Sequence, residues 1–294
     1  MPIWPKKILP AIFDYPFKDL FAREPILASF AGATLGEPES RFTGMVIADP
    51  NLNPKHKGAK HTIPDVRAKA PGSVRAEIPG LHMAVEMQRA YTPQVPAREL
   101  YRLGRMMTDG VKVREGYLVM PKVALILIAA DFLMHPKDDK YHHRCRIIDD
   151  ATGKPFPNSP EMHTLELLKL PRKCDGTLLW WWMKLLSART LEEFKALARK
   201  GGIMAEAVAR LKAFSANEKE RLRAEARERF LMDQVTLRDM GRAEGRAEER
   251  LEVARSMLKS KMPVADITKF TGLAEAEVKR LARGNEGRRR RSTT

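Results

Sequence analysis

A Pro64-Asp65 dipeptide and, further along, the run Glu86-Met87-Gln88 are the residues of this sequence whose types and spacing can do chemistry. Two carboxylates brought to one place make a hard-oxygen site for a divalent cation, Mg2+ above all, that keeps water among its ligands. Such an ion makes a nucleophile of water near neutral pH and draws charge off a phosphate under attack. Gln88 lies two positions beyond Glu86, so in an extended strand their side chains share a face. If a paired strand turns Asp65 to that same side, both acids converge at one end of a sheet. An amide beside them both donates and accepts, which suits it to holding a water or a phosphate oxygen. Acid pairs at this separation are common by chance, and Pro-Asp is common at turns. These two rise above that background because each stands in a run that reads as a strand. Glu86 also sits among Met83, Val85 and Met87, where a charge needs a reason.

The elements around these residues must position them. Phe17, Leu20, Phe21, Leu27, Phe30 and Leu35 recur at helical spacing and predict one helix ending near Gly36. A first strand is expected over Thr43 to Ala48, closed by the Asp49-Pro50-Asn51 turn, with a loop from Asn53 to His61. Pro64 to Lys69 and His82 to Gln88 predict two more strands, paired as a hairpin through Pro71-Gly72-Ser73. Val95 to Met107 reads as a second helix, with Leu100, Leu103 and Met107 on one face and Arg98, Arg102 and Arg105 elsewhere. Val119 to Ala130 supplies a fourth, buried strand. Helix, three strands, helix, strand is the order of an α/β protein with a mixed four-stranded sheet flanked by helices.

Beyond about Leu170 the pattern is helical. Ser215 and Glu218 have capping-box spacing ahead of a charged helix towards Met232. Gly241-Arg242-Ala243-Glu244 is repeated at once as Gly245-Arg246-Ala247-Glu248, although each glycine costs a helix about 1 kcal/mol relative to alanine. The repeat reads either as a stripe for close helix pairing between subunits or as a hinge. Leu251 to Leu258, Val264 to Phe270 and Ala274 to Leu281 then form a helix-turn-helix pattern. Lys279, Arg280 and Arg283 suit phosphate contacts on its last helix, while Glu275 and Glu277 oppose them, so DNA reading and oligomerisation stand level. The Arg288 to Arg291 run predicts a tail that binds nucleic acid without sequence preference.

The chain carries 53 Lys and Arg against 37 Asp and Glu, a net charge of +16 that favours a polyanionic partner. Two cysteines, Cys145 and Cys174, make neither a multi-bridge framework nor a zinc ribbon, which fits a reducing compartment. The apolar stretch Ile8 to Phe13 is too short for a signal peptide. The longest clean apolar run, Val123 to Ala130, falls far below the roughly 20 residues that span a bilayer. A cytoplasmic protein without a membrane partner is the expectation.

Other tempting residues carry less. His135, His142, His143 and Cys145 look like a zinc cluster, but adjacent histidines in a strand point to opposite faces, so they are left out of the site. Trp180-Trp181-Trp182, flanked by leucines, is expected in the core rather than stacked on bases. Arg98 and Tyr101, three apart on the second helix, suit DNA phosphate as well as they suit an ordinary solvated face.

At these residues the sequence resembles the PD-(D/E)xK nuclease superfamily, and within it the Rpn-type family of recombination-promoting nucleases and transposases. The resemblance rests on Asp14-Tyr15-Pro16-Phe17-Lys18-Asp19-Leu20-Phe21, Ile63-Pro64-Asp65-Val66, Val85-Glu86-Met87-Gln88 and Tyr141-His142-His143-Arg144. It continues through the Gly241 to Glu248 repeat and the Ile267 to Leu281 segment, and so covers nearly the whole chain. It implies a restriction-endonuclease-like core and an Mg-dependent endodeoxyribonuclease, Mn2+ being the other candidate ion. It also implies a role in DNA recombination or transposition. Asp65 and Glu86 become metal ligands, the Met87 carbonyl a third, and Gln88 takes the place usually held by lysine; Asp14 is a possible further acid. A lysine supplies fixed positive charge to the transition state and glutamine does not, so either activity is lower or a nearby cation, Arg67, Lys69 or Arg98, compensates. Arg67, Lys69, Arg98 and Tyr101 are also the candidate DNA contacts. A second function stands beside the first: a catalytically weak or inactive DNA-binding or oligomerising module on a nuclease-like fold. The expected organisation is a nuclease core at 1–170, a helical extension at 171–235, and a glycine-repeat linker, helix-turn-helix-like segment and basic tail at 236–294. DNA is the expected partner, with homo-oligomer contacts through the C-terminal helices.

Overall fold

The computed structural model describes residues 7–49, 63–72, 79–109 and 120–282, and the chain divides into two compact units, Met1–Arg227 and Glu228–Thr294. The first opens with α1 (Asp14–Phe21) and α2 (Glu24–Leu35), where one helix was expected. Pro25 explains the split: it lacks an N–H and fits only a first helical turn, so a new helix begins around it. The second helix ends, as expected, at Gly36, whose φ of 73° is a left-handed conformation that glycine takes without strain.

A 3-10 turn (Glu39–Phe42) leads into β1 (Val46–Ala48), shorter than its predicted run. β2 (Val66–Ala70) pairs antiparallel with β1 and with β3 (Leu81–Gln88), which establishes the expected hairpin. After α3 (Val95–Asp109), β4 (Lys122–Ala129) returns parallel to β3. The sheet has six strands rather than four, in the order β1-β2-β3-β4-β6-β5, because β5 (His142–Arg146) and β6 (Glu161–Glu166) extend it beyond β4. Both added strands are rich in charge and histidine, and lack the apolar alternation that marks a half-buried strand. Their charges are satisfied by each other: the Arg144 guanidinium lies 2.6 Å from the Glu161 carboxylate across the β5–β6 pair. The Asn53 to His61 loop, Ser73, Val119 and Arg283 with the Arg288 to Arg291 run lie outside the described residues.

Register determines which residues share a face. Met83, Val85, Ala124, Ile126, Ile128 and Leu165 form one, packed into a core with Phe17, Leu20, Phe30 and Trp182. Ala84, Val123 and Leu125 form the other, covered by Leu103 and Met106 of α3. Three more helices, α4 (Leu178–Ser187), α5 (Leu191–Arg199) and α6 (Gly202–Ala216), contribute to the first core. Trp182 is fully buried, its ring 5.9 Å from that of Phe30, as expected of the tryptophan run.

α7 spans Glu218–Lys259, 42 residues, and corrects two expectations. Its N-terminus is capped by Asn217, whose side chain accepts from the Glu220 N–H at 3.2 Å, not by Ser215. Ser215 is buried in the last turn of α6 and accepts the Leu9 N–H at 2.9 Å, so its hydroxyl is engaged elsewhere. The glycine repeat lies within this helix, and Leu251 to Leu258 is the end of the same helix rather than a separate one. In the second unit, Ala254 of α7, Ile267 of α8 (Val264–Thr271) and Val278 of the helical segment at 275–282 are fully buried together. Leu258, Leu273 and Leu281 pack around them, and Gly272 at φ 70° makes the turn between the last two helices. This is the predicted helix-turn-helix core.

Candidate active site

The β2–β3 hairpin builds the site. Asp65 stands one residue before β2, and continuing the Val66–Val85 register places it across from Glu86. The Asp65 N–H donates to Glu86 Oε2 at 3.0 Å, and the Met87 N–H donates to Asp65 Oδ2 at 2.9 Å. Each acid is thus held by backbone belonging to or adjoining the other, which fixes the pair without any long side chain having to order itself.

Helix α1 brings a cation and a third acid. Lys18 Nζ lies 3.4 Å from Asp65 Oδ1 and 2.5 Å from Asp14 Oδ1, one helical turn away on α1. Arg227 donates to the other Asp14 oxygen at 3.2 Å. Asp14 therefore joins the site through Lys18.

On the opposite side, α3 closes a ring of charge-assisted hydrogen bonds onto β3. Arg98 donates to Gln88 Oε1 at 2.5 Å and, through Nε, to Glu99 Oε1 at 3.0 Å. Arg102 donates to the other Glu99 oxygen and also to Glu86 Oε1 at 3.1 Å. Glu99 is wholly buried and Arg102 nearly so. A buried acid of this kind is tolerated because two guanidinium groups neutralise it. Gln88 is held at both ends, since its Nε2 donates to the Ala90 carbonyl at 2.8 Å.

Burial sets the electrostatics. It pushes the Glu86 carboxyl up to about 8, and the neighbouring Asp65 charge adds to the effect, only partly offset by Arg102. Asp65 is also raised, by burial first, against the pull of the Met87 N–H and Lys18 and with a further push from Asp14. Two acids that resist ionisation in one another's company gain most from a divalent cation between them. Among the described residues, no three His, Cys, Asp or Glu side chains gather as a metal site. The available donors are two carboxylates, backbone carbonyl and water, a hard set that fits Mg2+, which retains waters and needs few protein ligands.

The structure thus brings Asp65, Glu86, Gln88, Asp14 and Arg98 together. It does not bring Arg67, which is buried and ion-paired with Asp109 at the end of α3. Nor does it bring Lys69, which faces His82 four positions back along β3 from Glu86. Tyr101 lies on α3, partly exposed. Lys18, Glu99 and Arg102 are members that sequence reasoning missed. The signals were the Asp14–Lys18 spacing of four and the Arg98-Glu99 pair followed at the next turn by Arg102. His142 Nε2 lies 2.8 Å from His163 Nδ1, while the rings of His143 and His135 stack at 3.9 Å.

The family model for PD-(D/E)XK nuclease family transposases matches residues 11–240, and that for the C-terminal HTH domain of the Rpn/YhgA-like nuclease family matches residues 247–283. Searches among curated proteins and among solved structures found no match. The first matched region contains Asp65, Glu86, Gln88, Lys18 and the α3 ring, and the second coincides with the small three-helix core. The chain belongs to the PD-(D/E)XK nuclease family of transposases and ends in an Rpn/YhgA-like HTH domain.

Proposed function

We propose that this protein is a Mg-dependent DNA endonuclease, able also to use Mn2+, that hydrolyses phosphodiester bonds and promotes recombination or transposition. The observation that carries this reading is the reciprocal hydrogen bonding of Asp65 and Glu86 across the hairpin, which holds two mutually repelling carboxylates side by side. Asp65 and Glu86 hold the ion, with the Met87 carbonyl as third protein ligand. When bound, the ion supplies a reactive water and neutralises charge on the phosphate. Gln88 fixes Arg98 rather than acting as a cation itself, and Arg98 provides the positive charge that lysine provides elsewhere in the superfamily. Lys18 offers a second cation on the α1 side, 3.4 Å from Asp65. The HTH domain adds DNA affinity, and the net charge of +16 steers the chain onto phosphate. Two free cysteines fit the reducing, cytoplasmic setting of this reading.

A second reading, a weak or inactive DNA-binding module, draws on Gln88 itself, whose amide is engaged at both ends within the protein. Supercoiled plasmid incubated with Mg2+, Mn2+ or EDTA separates the two. Metal-dependent nicking by the wild type, abolished in Asp65→Ala and Glu86→Ala with DNA binding retained, establishes the nuclease. Folded, DNA-binding wild type that never nicks establishes the module.

A further inference from the structure

Lys122, Arg144, Arg146 and Glu161 form a second polar cluster that plays no part in the site above. By register all four belong to one face of the sheet: Lys122 stands two positions before Ala124, which faces Glu161, and Arg146 also faces Glu161. They lie at the ends where β4 and β6 begin, whereas Glu86 and Gln88 lie towards the far end of β3. Glu86 is level with Thr164, three strand positions or about 10 Å beyond Glu161 and on the other face of the sheet, so the two sites are separate. Glu161 is buried and draws in two cations, Lys122 Nζ at 2.7 Å and the Arg144 guanidinium at 2.6 Å. One carboxylate thus neutralises one of three positive charges, and Arg146 forms no ion pair among the described residues. These side chains line a cavity of about 440 Å3 whose remaining wall includes Pro79, Pro155 and Phe156, the last 63% exposed.

We infer that this cavity binds a nucleotide, its phosphate on Arg146, Lys122 and Arg144 and its base against Phe156. The volume falls in the range of small-ligand sites. Guanidinium and ammonium groups held by a buried counter-ion are ordered in advance, so little freedom is lost when a phosphate arrives. An exposed aromatic ring among prolines offers a flat apolar surface of the kind on which bases stack. The same chemistry serves a free nucleotide or one unit of a DNA strand passing the outer edge of the sheet. The site is independent of the nuclease reading, since it uses none of the same residues.

The test is calorimetric titration of the full chain in EDTA with dAMP, deoxyadenosine, inorganic phosphate and a ten-nucleotide single strand. Arg146→Ala, Phe156→Ala and Asp65→Asn serve as variants. Arg146 and Phe156 are exposed, so their replacement leaves the fold intact, checked by an unchanged melting curve. The expected result is dAMP binding that weakens about tenfold in Arg146→Ala and in Phe156→Ala and is unchanged in Asp65→Asn, with deoxyadenosine much weaker. A strand that binds at least tenfold more tightly than dAMP, with the excess lost in Arg146→Ala, identifies DNA as the source; equal affinities identify the free nucleotide. Failure of dAMP to bind, or binding that both substitutions leave unchanged, overturns the inference.

Discussion

Replacing Arg102 by methionine tests whether the α3 ring holds the site or merely packs against it. Arg102 bridges Glu99 and Glu86, and both acids are buried. Methionine keeps the hydrocarbon stem but leaves Glu86 without its guanidinium and Glu99 with Arg98 alone. Breaking a buried pair from one side costs about 3–5 kcal/mol, because the surviving charge is left in a poor solvent. For a unit of this size about 2–4 °C of melting temperature accompanies each kcal/mol, so a drop of roughly 6–20 °C is expected. All four tryptophans, Trp4, Trp180, Trp181 and Trp182, lie in the first unit, so tryptophan fluorescence follows its unfolding without interference from the second. Adding Glu99→Gln removes one of the stranded charges and should recover about 1–3 kcal/mol, a coupling visible in a double-mutant cycle. An Arg102→Met protein within about 1 kcal/mol of wild type, or a double variant with strictly additive losses, refutes the ring as a cooperative unit.

Excess Mg2+ should raise the melting temperature of the first unit, by an amount equivalent to about 2.7 kcal/mol at a hundredfold excess over Kd, and should leave Asp65→Asn unmoved. Burial pushes Glu193 up, but the Arg189 N–H, the Lys184 ammonium and the Thr190 N–H outweigh it and hold the acid at about 2. Its contribution to stability is therefore present above the unfolded value of 4.5 and is lost as pH falls from there towards 2, a slope that Glu193→Gln should flatten in melts across that window. Ile267→Asp places a charge in the buried centre of the HTH core and should lower DNA affinity in a filter-binding assay while leaving the tryptophan transition of the first unit in place.

The parts of the fold legible in the sequence are those built from local pattern. The β2–β3 hairpin showed in the alternation around Glu86 and the turn residues after Ala70, and the HTH core in three short apolar periods punctuated by Pro263 and Gly272. The parts that were not legible depend on partners distant in the chain. β6 carries His163 and Glu161 inward, which only makes sense once the exposed Arg144 of β5 meets Glu161. Lys18 belongs to a helix that reads as ordinary amphipathic packing, and its role appears only where α1 meets the hairpin at Asp65. Arg102 lies off the apolar face that the sequence marks on its helix and Glu99 carries no signal of its own, yet both are turned towards β3 and buried. Of the three cations considered as replacements for the missing lysine, the structure brings only Arg98 to Gln88.

The ring through Gln88 also constrains which sequences are reachable from this one. With both acids ionised, Glu86, Arg98, Glu99 and Arg102 sum to zero, and the neutral Gln88 closes the circuit. Restoring the superfamily lysine at position 88 sets an ammonium against the Arg98 guanidinium, which now points at the amide oxygen from 2.5 Å. The consensus residue is then harmful in this background and becomes acceptable only after Arg98 has lost its charge, while losing Arg98 first leaves the site without that cation. Each substitution is then unfavourable alone and tolerated only with the other, a reciprocal sign epistasis that follows from the single hydrogen bond between a helix and the strand beneath it.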